Sequence, residues 1–343
     1  MGRKPSVNFH LPQGMRMRKR LRKSGAVAVY YFYEIRENGK RREVPLGTDY
    51  TAAVHKWSQL EMDKKPKEAA VTYYTIKAKY LTAKLPELSR GTQRAYMQAF
   101  KRLDEFFGNP DAPLEDIEPA HIKEYLKWRS SPVQSGIELA LFSNLWNLAV
   151  ESGYLNQPNP AKAVKKHKTA KREVYIEDSL YELVYSHANQ MMKDLMDLAY
   201  LLGQRPVDIV SLHTRQIIED ELHITQQKTK ARLRFEIIGK TKEIIDRIKP
   251  DNGYLFINRH GRPLTPDTLR QQFRELKEAI LKSHPDRHDE LKNFQFRDLR
   301  AKAATDLYLS GSKSRAQEQL GHTSGRMTER YIRKTKLLKP LEK

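Results

Sequence analysis

The stretch LGHTSGRMTERYIRK, residues 320–334, holds one tyrosine, Tyr331, among Arg326, Arg330, Arg333 and Lys334. A solvated helix face would explain the cations. It does not explain a Gly-His turn nine residues before the phenol. Three other stretches carry residue types that could join it. In LLGQRPVDIVSL, Gly203 closes one predicted helix and Pro206 opens the next, so Arg205 is held at a helix start. Asp208 follows one turn on, placed to buttress it. A guanidinium fixed this way suits bidentate recognition of a phosphate, although a lone arginine at a helix start is more often structural. QQKTKARLR places Lys228 on a predicted hairpin tip, either plain surface or an ammonium that reaches a phosphodiester in a DNA groove. In FQFRDLRAKAATDLYLSG, Arg297 and Arg300 share a face of a predicted helix whose alanines mark tight packing. Each piece alone has an ordinary reading. Their order and spacing together carry the signal.

That ordered set resembles the tyrosine recombinases, the integrases of temperate phages and related elements. The family pattern G-x-R-x-x-E is matched by GQRPVD, with Asp208 standing for the acid. Its hairpin lysine, often K-T, is matched by Lys228-Thr229, and its H-x-L-R by R-D-L-R, which gives Arg300. L-G-H and the tyrosine nine residues later are Leu320, Gly321, His322 and Tyr331. The likeness covers nearly the whole chain, most specifically residues 201–333. One departure stands out: Arg297 occupies the place of the family's usual histidine, sometimes lysine. An arginine donates hydrogen bonds but does not readily accept a proton.

The resemblance implies a site-specific recombinase, for DNA integration and in some settings excision, acting through a 3′-phosphotyrosyl intermediate. Tyr331 would be the nucleophile. Arg205 and Arg300 would neutralise the phosphate and His322 would donate to it. Lys228 would act as general acid on the leaving 5′ oxygen. No metal, ATP or other cofactor is implied, and the sequence has neither a phosphate-binding G-x-x-x-x-G-K-[ST] loop nor a convincing carboxylate cluster for magnesium. Partners implied are double-stranded DNA at core and arm-type sites and a homotetramer on that DNA; a host DNA-bending protein and an excisionase are compatible with an arm-type domain. Two rival readings share these residues. One is a nicking-closing enzyme of the type IB topoisomerase kind. The other is a DNA-binding regulator on a decayed integrase scaffold, for which Arg297 is the best support.

The elements that must position these residues are multidomain α+β. The chain has 343 residues, with 63 Lys+Arg against 42 Asp+Glu, a net charge of +21 that calls for a polyanionic partner. Nucleic acid comes first and an anionic membrane surface second; no apolar run approaches the ~20 residues that span a bilayer. The start, MGRKPSVNFHLPQG, lacks a signal peptide's apolar core, and there is no cysteine, which excludes disulfides and thiol catalysis. A cytoplasmic protein is expected.

Residues 1–64 read as a small β-sheet plus helix, basic enough to bind DNA, and the resemblance implies that this is an arm-type DNA-binding domain. AVAVYYFYEIR and KRREVPLG flank an Asn38-Gly39 turn, and TDYTAAVHKWSQLEM follows as a helix. The basic run MRMRKRLRK supplies Arg16, Arg18, Lys19, Arg20, Arg22 and Lys23 as candidate DNA contacts. Residues 71–165 read as an all-α domain of about four helices, which the resemblance implies is a core-binding domain. A basic connector holding Lys165, Lys166 and Lys168 leads on, and residues 172–343 read as a mainly helical catalytic domain with a small antiparallel sheet. The tail after Tyr331, with Leu337, Leu338 and Leu341 among cations, is expected either to pack on a neighbouring protomer or to fray.

Overall fold

The computed structural model describes residues 11–21, 25–37, 40–64, 71–165, 167, 170–248 and 253–337. The chain divides into two compact units, Met1–Ala170 and Lys171–Lys343.

The first unit opens with an antiparallel sheet ordered β1 (Met15–Leu21), β2 (Val27–Glu37), β3 (Lys40–Gly47). β2 and β3 are the expected antiparallel pair, and the Asn38-Gly39 turn lies outside the described residues. β1 is a strand that the charge of MRMRKRLRK conceals: its Met-Arg alternation has a strand's period of two. The alternation buries Met15 and turns Arg16, Arg18 and Arg20 to the opposite, exposed face. There Arg16 lies across from Phe32 and Arg18 across from Tyr30, with the Arg18 guanidinium 5.0 Å from the Phe32 ring centre. Arg16 and Arg18 also pair with Glu34 and Glu43, exposed contacts that contribute little to stability.

Asp49 caps the next helix, α1 (Tyr50–Lys64), accepting from Ala52 N–H at 2.8 Å. Four helices follow: α2 (Tyr73–Ala83), α3 (Arg90–Phe107), α4 (Pro119–Trp128) and α5 (Pro132–Glu151). On α3 the apolar stripe Tyr96, Phe100, Leu103 and Phe107 packs inward, with the last three buried and Tyr96 half-buried. One continuous core joins α1 to these helices, and Trp57 meets Tyr74 edge-on at 5.9 Å. Lys77 lies inside it, fully buried. It donates to both Asp104 oxygens at 2.7 Å and to the Tyr50 hydroxyl at 2.9 Å. Burial works against its charge, but Asp104 and Tyr50 outweigh burial and its pKa is raised.

The second unit begins with α6 (Asp178–His187), α7 (Gln190–Leu201) and the short α8 (Pro206–Val210). A small antiparallel sheet, β4 (Ile217–Ile218), β5 (Glu221–Thr225) and β6 (Arg232–Glu236), holds the predicted strand pair and adds β4 to it. Then come α9 (Gly239–Ile248), α10 (Pro266–Ser283), α11 (His288–Asn293), α12 (Asp298–Leu309), α13 (Lys313–Gln319) and α14 (Gly325–Glu329). α12 is the central helix, buried along Leu299–Thr305 as its alanines require. Its start is fixed by Asp298, whose carboxylate takes the Arg172 guanidinium and the Gln295 N–H. Among the described residues no helix is long and apolar enough to cross a membrane. Leu337 is 98% exposed, and Leu338 and Leu341 lie outside the described residues.

Candidate active site

Two glycines in the left-handed region build the site's floor. Gly203 ends α7 at φ +62° and turns the chain so that Arg205 becomes the N-cap residue of α8. Gly321, also at φ +62°, ends α13 where a Cβ would stand 3.0 Å from Gln226 Nε2 and 3.3 Å from Ala231 Cβ. The L-G-H glycine thus answers both a backbone conformation and a close approach to the hairpin.

Arg300, 2% exposed, projects from α12 onto these turns. Its Nη1 donates to the Gly203 carbonyl and its Nη2 to the Leu320 carbonyl, both at 2.7 Å. Nη2 also lies 3.0 Å from His322 Nε2. Because an arginine only donates, that nitrogen is the acceptor, which puts the His322 proton on Nδ1, 3.1 Å from the buried Thr328 hydroxyl. Burial first, then Arg300 and Arg205, lower the His322 pKa to about 4, so the ring is neutral at pH 7. Burial and Arg205 likewise lower Arg300 to about 10, partly offset by Tyr331.

The Tyr331 ring lies 5.2 Å from His322 and 5.1 Å from the Arg300 guanidinium carbon. It stands just past α14 rather than on it, in a turn where its N–H donates to the Thr328 carbonyl at 2.8 Å. Buried Thr305 steadies the same segment. Its hydroxyl accepts from Arg333 N–H at 3.0 Å and lies 3.2 Å from the Tyr331 carbonyl.

A cleft of about 920 Å³ opens over these groups, lined by Arg205, Lys228, Arg297, Arg300 and Tyr331. His322 lies behind Arg300, outside that lining. Lys228 sits exposed on the turn between β5 and β6, as its sequence context requires. Arg297 is the exposed residue before α12 and has no hydrogen bond or ion pair among the described residues. Asp208 meets Arg205 differently from expectation. Its carboxylate accepts from Gln227 N–H at 2.8 Å, anchoring the Lys228 turn, while the Arg205 Nη1 donates to Gln226 Oε1 at 2.7 Å. Burial raises the Asp208 pKa, and the Gln227 N–H, Arg205 and Arg300 oppose that rise.

The structure adds cations that the motifs did not reveal. Arg270, Arg274 and Lys277 on α10 and Lys292 on α11 also line the cleft. The 270, 274, 277 spacing puts the first three on one helix face, a signal present in the sequence but indistinguishable there from a solvated face. Lys277 has a structural task as well, donating to the Leu291 and Phe294 carbonyls at 2.7 and 2.6 Å. Of the other candidate DNA contacts, Arg16, Arg18, Lys19, Arg20 and Lys165 are exposed in the first unit. Arg22, Lys23, Lys166 and Lys168 lie outside the described residues.

The charged side chains lining this cleft are all cations, and a phenol stands among them. Residues 176–337, nearly all of the second unit, match the family model described as the phage integrase family. The chain carries a phage integrase domain, as the tyrosine recombinases do. It is therefore a site-specific recombinase. The integrase of Enterobacteria phage 434 is 25% identical over 254 residues, covering 69% of this chain and 68% of that protein. A lambda integrase dimer bound to a core site shares the fold at a TM-score of 0.66 and 22% identity, over 97% of this chain and 98% of the other. A lambda integrase tetramer bound to a Holliday junction aligns at 0.64 and 22%, over 92% and 97%.

Proposed function

We propose that this chain cuts and rejoins double-stranded DNA through a phosphodiester bond to Tyr331. The observation that carries the reading is the convergence, in one cleft, of Arg205, Arg300 and Tyr331 with Lys228 on its lining. A phosphodiester repels nucleophiles by its own charge. Arg205 and Arg300 neutralise its non-bridging oxygens and stabilise the added charge of the pentavalent transition state. Tyr331 attacks phosphorus and becomes the 3′-phosphotyrosyl ester; Lys228 protonates the departing 5′ oxygen. A 5′-hydroxyl then reverses the step, so the bond energy is conserved and ligation needs no nucleotide. His322 holds Arg300 in the free site, and donating to the phosphate requires its proton to move from Nδ1 to Nε2. Arg297 contributes fixed charge at the rim.

The exposed Arg face of β1 and the connector lysine Lys165 support DNA contacts outside the cleft, at arm-type and core sites. Exchange between two duplexes requires four such sites, hence a homotetramer on DNA. A host bending protein and an excisionase fit the arm-type sheet, and integration with excision is the transaction such partners serve.

The experiment concerns Lys228. A nicked substrate with a 5′-bridging sulfur at the scissile position has a leaving group that needs no acid. Lys228→Ala should cleave the oxygen substrate about 10²-fold slower than the unaltered chain and the sulfur substrate nearly as fast. Equal losses on both substrates would remove Lys228 from the acid role.

A further inference from the structure

One side chain touches the turns that carry Arg205, Lys228 and His322, and its place in QQKTKARLR gives it no evident role. Gln226 is fully buried at the end of β5, two residues before Lys228. Its Oε1 accepts from Arg205 Nη1 at 2.7 Å and from the Thr229 hydroxyl at 2.5 Å. Its Nε2 donates to Gln204 Oε1 at 2.7 Å and to the Leu320 carbonyl at 2.9 Å. The Leu320 carbonyl is the same oxygen that Arg300 Nη2 occupies. Its backbone closes the turn: its N–H donates to Ala231 and its carbonyl accepts from Lys230, both at 2.9 Å. All four hydrogen-bonding capacities of the amide are used, and their donors and acceptors allow only one orientation of the group. A buried amide this fully committed specifies geometry more than it adds stability, because any other placement leaves it unsatisfied.

We propose that Gln226 is a positioning residue that sets Arg205 and the Lys228 turn in register with Arg300. The inference rests on the assignment of those cations to phosphate neutralisation. Arg205 is half-buried and reaches the cleft from a five-residue helix. Its Nη1 bond to Gln226 fixes the guanidinium plane, leaving its other N–H groups for the phosphate. Thr229 on the same Oε1 ties the lysine's turn to that plane, and the shared Leu320 carbonyl ties both to Arg300. Gln226 touches no reacting atom. It acts through Arg205.

The test compares the unaltered full-length chain with Gln226→Met, which keeps side-chain length and loses all four bonds. Each is given a nicked duplex whose scissile group is a phosphodiester or a methylphosphonate, and the rate of covalent protein–DNA formation is read. The methylphosphonate lacks one negative charge, so it makes a smaller demand on Arg205. On the phosphodiester, Gln226→Met should be slower by about 10²-fold, the scale of one misplaced electrostatic donor. On the methylphosphonate the gap between the two proteins should shrink at least roughly tenfold. Each ratio compares substrates on one preparation, so partial misfolding of the variant cancels. The same gap on both substrates would make Gln226 merely structural and overturn the proposal, as would a variant that cleaves the phosphodiester at the unaltered rate. No covalent product from the unaltered chain on either substrate would instead overturn the site assignment, and this inference with it.

Discussion

His322 gives a sharp quantitative handle on the site. Its ring is 6% exposed and hemmed by Arg300 on Nε2 and Thr328 on Nδ1, and protonating it would place a third cation beside Arg300 and Arg205. The folded pKa is therefore depressed, from 6.5 to about 4. A group that must stay neutral to fold contributes stability that is fully present above 6.5 and is lost as pH falls toward 4. At 1.36 kcal/mol per pH unit, lowering pH from 7.5 to 4.5 removes about 2.5 kcal/mol through this residue alone. His322→Asn lacks the titrating ring and escapes that part. Denaturant titrations of both proteins at the two pH values should show the unaltered chain losing about 2.5 kcal/mol more than the variant. Parallel losses, or an imidazole resonance assigned to His322 that titrates near its ordinary value, would refute the reasoning.

Other consequences follow from the same contacts. Arg300→Lys cannot reach the Gly203 and Leu320 carbonyls and a phosphate at once, so covalent-complex formation should fall by about 10²–10³-fold in a single-turnover assay. Arg297→Ala removes an exposed charge that has no hydrogen bond or ion pair among the described residues. Its melting should be unchanged within about 0.5 kcal/mol, while DNA affinity measured by fluorescence anisotropy weakens with a shallower salt dependence. Lys77→Met removes the cation from the buried Asp104, which keeps the Tyr73 hydroxyl at 2.8 Å, and should destabilise the first unit by about 3–5 kcal/mol in thermal denaturation. Adding Asp104→Leu should restore most of that loss.

Much of this architecture is legible in the sequence because the local chemistry is written in residue types. Gly203 and Pro206 dictate the turn that holds Arg205, and the stripe of Phe100, Leu103 and Phe107 dictates which face of α3 is buried. The place of Tyr331 beside His322 and Arg300 is legible through its spacing from His322, though its position beyond the end of α14 is not. The unreadable features involve polar side chains satisfied at long range. Gln226 reaches Arg205 and Leu320, 21 and 94 residues away, and a lone glutamine leaves no periodic trace. Lys77 reads as a solvated lysine until Asp104, 27 residues on, is folded against it. The strand β1 is hidden for a different reason. Its outward residues are all cationic, so its period reads as charge rather than as pleat. Asp208 lies where its spacing puts it, yet its hydrogen-bond partner is set by the hairpin, which sequence distance does not encode.

The most direct measurement takes a nicked duplex carrying the attachment sequence, traps the covalent product, digests it and locates the DNA-linked peptide by mass spectrometry. The adduct should fall on Tyr331, as a 3′-phosphate ester, and Tyr331→Phe should bind the same DNA yet give no product. An adduct on another residue, or a covalent band that survives Tyr331→Phe, would contradict the account.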